Sequence, residues 1–452
     1  MTTRRALLRA LATLPAAALG VARGTTPSPV SLPALPLGER RLGNGLHVVS
    51  LPDARSASVA VQVFYRVGAK DDPPGRSGFA HLFEHLMFKR TRHMKDEMFD
   101  RLTEDVGGNN NAYTSADLTA YQSEVPSNHL ERLLWAEAER MSSLEVDQAN
   151  FASERAVVQE EFRQGVLADP YGRLFHALPG LHYTRHPYRR PVIGSIEDLD
   201  RASLAEVRQF HQTYYRPDNA VLVVAGGFEP REFDGWVDRY FGPVQRPSAA
   251  IPRVNVAEPR RREARRATVR GPNVPLPALA VLWQGPPVRQ RDVPALRVAS
   301  ALLSAGESSR LNEVLVYREQ LAQQAGFDAD LYADAGMLAA YGIAAADVPL
   351  KRLETWLLAE IRRLAREPIA DDELDKVRTQ LLTRAVSARQ TPQGQAGRLG
   401  QAVVLHGDVR WAERELVELQ AVTADDVQRV LRHWVLQAPP VTVNYVGRKG
   451  AK

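Results

Sequence analysis

Two stretches of this chain, 220 residues apart, follow one plan. Residues 203–227 read SLAEVRQFHQTYYRPDNAVLVVAGG, and residues 423–447 read TADDVQRVLRHWVLQAPPVTVNYVG. Each opens on a hydroxyl residue suited to capping a helix, Ser203 or Thr423, with an acid three positions on, Glu206 or Asp426. Only Ser203 with Glu206 has the strict capping-box composition. Apolar residues at helical spacing follow, then an aromatic (Tyr214-Tyr215 or Trp434), a turn with proline, and a β-branched strand ending in glycine. A second pair agrees: SVAVQVF over Ser58–Phe64 and LAVLW over Leu279–Trp283 both read as strands, about 221 residues apart. Each precedes a polar Gly/Pro loop and an apolar helix. Two matches at one offset predict a duplicated α+β domain, each copy opening on a strand and closing on a helix–strand unit. A chain of 452 residues agrees, because one hydrophobic core rarely organises more than about 300.

The copies are placed at 30–242 and 269–450, joined by a Pro- and Arg-rich linker over 243–268. The linker run Arg260-Arg261-Arg262 is read as solvated, as most charge runs are. Lys351 to Glu367 and Asp371 to Arg389 are amphipathic and supply helices to the second copy. Residues 1–22 form an expected export signal: Arg4, Arg5 and Arg9 precede an apolar run from Ala10 to Ala22, with Gly20 and Ala22 small enough for cleavage before Arg23. Arg4-Arg5 gives it a loose likeness to a twin-arginine signal. Beyond it no apolar run is long enough to span a bilayer, so the expected compartment is the periplasm.

There are no cysteines, so disulfides and thiolate metal ligands are excluded. The net charge of +5 comes with neither a nucleic-acid motif nor interleaved basic and aromatic residues, so no nucleic-acid partner is expected. Residues 81–85 read HLFEH. On a helix from Gly78 to Lys89, His81 and His85 project from one face a turn apart, with Glu84 beside them. The flanking Phe79, Leu82, Phe83, Leu86, Met87 and Phe88 make that helix apolar nearly all round, so it should be buried. Two imidazoles and a carboxylate without partners would be costly there, and a metal supplies the partner. Residues 153–163, SERAVVQEEFR, offer a third ligand from a second helix. Glu154 and Glu161 share a face, which favours Glu161 over Glu160 as ligand and gives Glu154 a supporting place behind it. Alone, this segment would read as an exposed acidic helix. The other histidines, among them His93, His129, His176, His182, His211 and His406, are read as structural or surface residues.

HxxEH followed about 75 residues later by ExxxxxEE resembles the inverzincin metallopeptidases of the pitrilysin family (M16), and in particular bacterial relatives of the mitochondrial processing peptidase β subunit. The resemblance extends to Gly107-Gly108, Asn111-Ala112, Thr114, Asp117, Thr119, Tyr121 and Pro126. It continues through His186-Pro187-Tyr188, Gly194-Ser195 and Tyr215-Arg216-Pro217-Asp218-Asn219-Ala220-Val221. It implies one zinc ion per chain on His81, His85 and Glu161, Glu84 as general base, and hydrolysis of oligopeptides or unstructured segments. It also implies a substrate strand laid beside Asn111, Ala112 and Thr114. The implied fold is two similar α/β-sandwich domains, only the first with zinc: the second copy reads PALRVASALLSAG where the first has HxxEH.

One departure bears on partners. Many active relatives carry a substrate-holding arginine and tyrosine in a stretch like LREKxGLAYS. Here Leu315 to Gly326 reads LVYREQLAQQAG, with Tyr317 near the arginine position and Gln323 or Gln324 at the tyrosine. The expectation is therefore a dimer with a homologous subunit carrying that pair, a homodimer being the alternative. The competing function is a non-catalytic assembly subunit, against which the intact HxxEH speaks.

Overall fold

The structure, a computed structural model, describes residues 34–448; the expected export signal lies outside them. Strands β1 (Gly38–Arg41), β2 (His47–Pro52), β3 (Ser58–Tyr65), β4 (Asn109–Thr114), β5 (Thr119–Pro126) and β6 (Ala220–Gly226) form one sheet in the order β1-β2-β6-β3-β5-β4. Strands β7 (Arg265–Gly271), β8 (Ala278–Gly285), β9 (Ala322–Leu331), β10 (Gly336–Ala344) and β11 (Val441–Gly447) form a second in the order β7-β11-β8-β10-β9. Leaving out β1, the two orders correspond strand for strand. In each sheet one pair is parallel, β2 with β6 and β7 with β11, and the rest are antiparallel. The duplication expected from the 220-residue offset is thus a duplication of topology.

The central strands are apolar on both faces because both faces are covered. On β6, Leu222 and Val224 face one core while Val221, Val223 and Ala225 face another. The first core packs the sheet against helices of its own half, including Phe79–Leu86, Leu130–Ser143, Gln148–Phe162 and Leu204–Tyr214. The second is closed by residues from far along the chain: Ala396, Leu399, Ala402, Val403 and Ala412. Helix Pro392–Gln401 thus belongs by sequence to the second half and covers the back of the first sheet. The exchange is reciprocal. Helix Gly172–His182, from the first half, sets Leu174 and Leu178 against Ala278, Ala280, Leu282 and Val443 of the second sheet. The two exchanged helices begin at Gly172 and Pro392, again 220 residues apart.

Close approach makes this packing possible. A Cβ added at Gly400 would lie 2.0 Å from the Phe64 ring, and buried Gln62 donates to the Gln393 carbonyl at 2.9 Å.

Three sequence expectations are corrected. Thr423 and Asp426 do form a reciprocal capping box, as Ser203 and Glu206 do, because aspartate still reaches the Thr423 N–H at 3.2 Å. The linker expected over 243–268 is shorter, since β7 begins at Arg265. Within it Arg261 is not solvated: it is 7% exposed and donates to the carbonyl of His182 at 2.8 Å, at the end of the exchanged helix. Glu258, also in this segment, accepts from the backbone of Thr184, Arg185 and His186. The segment is a clamp because its charges satisfy helix-end and loop groups that would otherwise be orphaned. Among the described residues no helix is long and apolar enough to cross a membrane.

Candidate metal centre

The helix carrying HLFEH runs Phe79–Leu86, ending three residues before the expected Lys89. Gly78 precedes it at φ +94°, where an added Cβ would lie 2.9 Å from the Ile193 carbonyl, so glycine is required twice over. Its first turn is held by Asp72, whose buried carboxylate accepts from the N–H groups of Gly78 (2.7 Å) and Ala80 (2.8 Å). Burial raises Asp72 to about 7, with those two bonds pulling the other way. Phe79, Leu82, Phe83 and Leu86 are fully buried, leaving His81, Glu84 and His85 facing one crevice.

Helix Gln148–Phe162 crosses that crevice, started by Asp147, which caps it with Asn150 in a reciprocal box. Glu161 Oε2 lies 3.6 Å from His81 Nε2 and 3.5 Å from His85 Nε2, and the three donor atoms fall within 4.8 Å of one another. Those separations are long for hydrogen bonds. Two ligands at about 2.0–2.1 Å from a tetrahedral zinc ion stand about 3.3 Å apart, so the spacing suits a metal better than a proton. Glu160 points elsewhere, pairing with Arg163 and Gln164 at the surface. The donor chemistry, two imidazoles and a carboxylate, fits zinc.

Burial and the neighbouring His85 push His81 down to about 4, so it is neutral at pH 7 with a lone pair to give. Burial alone would lower His85 too, but Glu154, Glu161 and Glu84 raise it. Glu154 stands 3.7 Å from His85 Nδ1 and is itself held by Lys89 Nζ at 2.8 Å. Lys89 lies four residues beyond His85 and eight beyond His81 in sequence, a signal available from spacing alone.

Thr114, expected beside a substrate strand, donates its hydroxyl to Glu84 Oε2 at 2.7 Å. Burial raises Glu84 above the usual carboxylate range, and the Thr114 bond counters that. Replacing Thr114 with valine is therefore expected to raise Glu84 further. On the expectation that Glu84 is a general base, it must be ionised to accept a proton, so activity falls as pH drops through its pKa, and the acidic limb of kcat/KM should move to higher pH in Thr114→Val. An unmoved limb would show that this hydrogen bond does not tune Glu84.

Asn111 and Ala112 lie on β4, which among the described residues pairs with β5 alone and ends the sheet order. Asn111 Oδ1 accepts from the Ala112 N–H at 2.8 Å. Beneath the site, Tyr121 donates to the Phe83 carbonyl at 3.1 Å, and its ring lies 4.7 Å from the guanidinium of Arg140. Arg140 is 1% exposed and bidentate to Glu137. Nothing in LERLLWAEAERM marks Arg140 as buried, since Glu–Arg pairs three apart are usually surface decoration. Tyr317 is exposed, and Arg318 pairs with Glu313 and Glu319.

Two family models match the chain: "Insulinase (Peptidase family M16)" over residues 47–195 and "Peptidase M16 inactive domain" over residues 201–381. The chain is 30% identical over 407 residues to the zinc protease PqqE of Helicobacter pylori, covering 89% of this chain and 91% of that protein. It is 23% identical to the probable mitochondrial-processing peptidase subunit beta of Arabidopsis thaliana, covering 87% and 75%. A crystal structure of a protease from Helicobacter pylori superposes with a TM-score of 0.88 at 29% identity, covering 91% of this chain and all of that one.

Proposed function

Because the chain belongs to peptidase family M16, the insulinase family, we propose that it is a zinc-dependent endopeptidase of the periplasm, hydrolysing oligopeptides or unstructured polypeptide segments. The observation that carries this is the convergence of His81, His85 and Glu161 within 4.8 Å, with Glu84 beside them on a hydrogen bond from Thr114. One zinc ion per chain, held by those three residues, would lower the pKa of a water and polarise the scissile carbonyl.

The remaining work falls to the chain's own groups. Glu84 keeps Oε2 on Thr114, which leaves Oε1 to take a proton from the attacking water and return it to the departing amine nitrogen. Glu154 orients His85 through Nδ1. The outer edge of β4 suits an extended peptide added as a further strand, with Asn111 Oδ1 giving up the Ala112 N–H to it. Backbone pairing of this kind reads shape rather than side chains, which suits unstructured substrates.

The periplasmic assignment rests on the basic and apolar composition of residues 1–22. A homologous partner bearing an arginine and a tyrosine is proposed because the equivalent stretch from Leu315 to Gly326 sets Tyr317 near the arginine position and Gln323 or Gln324 at the tyrosine position. Peptide turnover measured with and without such a partner tests this; full activity of the chain alone would refute the need for one. Metal content with turnover in Glu84→Gln tests the chemistry.

A further inference from the structure

The second half has no HxxEH, yet it reaches the active site's own hairpin. The turn between β4 and β5, residues 115–118, meets the turn between β9 and β10, residues 332–335, tip to tip. These are equivalent turns of the two copies. Asp117, 7% exposed, is held from both sides: Tyr188 donates to its Oδ1 at 2.5 Å and the Ala333 N–H donates to its Oδ2 at 2.8 Å. Lys70 Nζ lies 2.8 Å from Asp117 and 2.8 Å from Asp334, bridging the two turns. The Asp334 N–H donates to the Tyr188 hydroxyl oxygen at 3.1 Å. His186 adds a nitrogen 3.6 Å from Asp334, and the Tyr332 ring lies tilted at 4.9 Å from that of Tyr188.

The brace continues to the reacting groups through short covalent spans. The N–H groups of Ala69 and Lys70 donate to the carbonyls of Ser115 and Ala116, so the segment 68–72 lies flat on the β4–β5 turn. An added Cβ at Gly68 would lie 2.5 Å from the Ser115 carbonyl. Two residues beyond Lys70, Asp72 holds the first turn of the helix carrying His81, Glu84 and His85. In the other direction, Thr114 is three residues before Asp117 and bonds Glu84. The turn from the second half is therefore fastened to both elements that fix Glu84.

We infer that Asp334 is a positioning residue for the catalytic centre: with Ala333 it clamps the Asp117–Lys70 pair and so sets the distance between Thr114 and Glu84. The zinc-free half contributes to catalysis by immobilising the hairpin of the other half. This rests on the peptidase reading above only for its kinetic arm.

Asp334→Ala is the test. The side chain is 39% exposed at a hairpin tip and its removal leaves the Lys70–Asp117 pair intact, so the variant should fold. Expected are unchanged zinc content, amide exchange over residues 113–118 faster by about tenfold in the zinc-free chain, and kcat lower by about tenfold with KM within about twofold. Thr114→Val added to Asp334→Ala should cost nothing further, because both act through one hydrogen bond. Unchanged exchange in that segment, or kinetic losses that multiply in the double variant, would overturn the inference. If the wild-type chain hydrolyses no peptide, the peptidase reading fails while the exchange measurement still decides this one.

Discussion

Glu84→Gln is expected to retain zinc while kcat for peptide hydrolysis falls about a thousandfold, since positioned proton transfer contributes roughly 10²–10⁴ in rate. Glutamine preserves the shape of the side chain and can still accept the Thr114 hydroxyl bond, so the crevice should keep its form. What it removes is the basic oxygen. The three donor atoms, on His81, His85 and Glu161, are untouched, so metal content measured on the purified variant should match wild type. KM should move little, because Glu84 acts on the water and the leaving nitrogen rather than on substrate binding. Equal turnover by variant and wild type would defeat the peptidase reading and favour a non-catalytic assembly subunit. Loss of zinc together with activity would instead make Glu84 part of the metal's support.

Gly400→Val should destabilise the whole chain, although it lies in the half without HxxEH. The new Cβ would lie 2.0 Å from the Phe64 ring, which is fully buried in β3 and has the first core against the far face of its sheet. Neither partner can retreat: the helix is pinned by the Gln62 bond to Gln393, and Phe64 is flanked by β5 and β6. Overpacking of this kind costs about 3 kcal/mol, and the β-branched side chain adds a few tenths in a helix. A fall in melting midpoint of about 3–4 °C is expected for a chain of this length. Zinc retention should weaken in parallel, because the sheet that supports the helix Phe79–Leu86 loses its back cover. Wild-type melting would mean that the exchanged helix is not held as described.

The duplication and the His81–His85 pair of the donor cluster were legible because both leave short-range marks. An i, i+4 histidine pair on an apolar helix is a local pattern, and the 220-residue offset repeats local patterns. The helix exchange leaves no such mark. Helix Pro392–Gln401, PQGQAGRLGQ, holds three glycines and little apolar pattern, and which sheet it covers depends on where the chain travels. The bond from Thr114 to Glu84 left no mark for a related reason. The Thr114 strand was visible, but its side-chain partner sits 30 residues upstream on another element. Arg261 was misread because a run of arginines carries no sign of which member turns inward.

The reciprocal helix exchange makes each half incomplete by itself. A sheet deprived of its borrowed helix would bare Val49, Leu51, Phe64, Val221 and Val223 to water, an adhesive surface that invites aggregation. Neither copy can be discarded, nor can its thickness change, unless the other follows. The copy that cannot perform chemistry is thus kept by its sibling's need for shelter, and the pair must be inherited as one object.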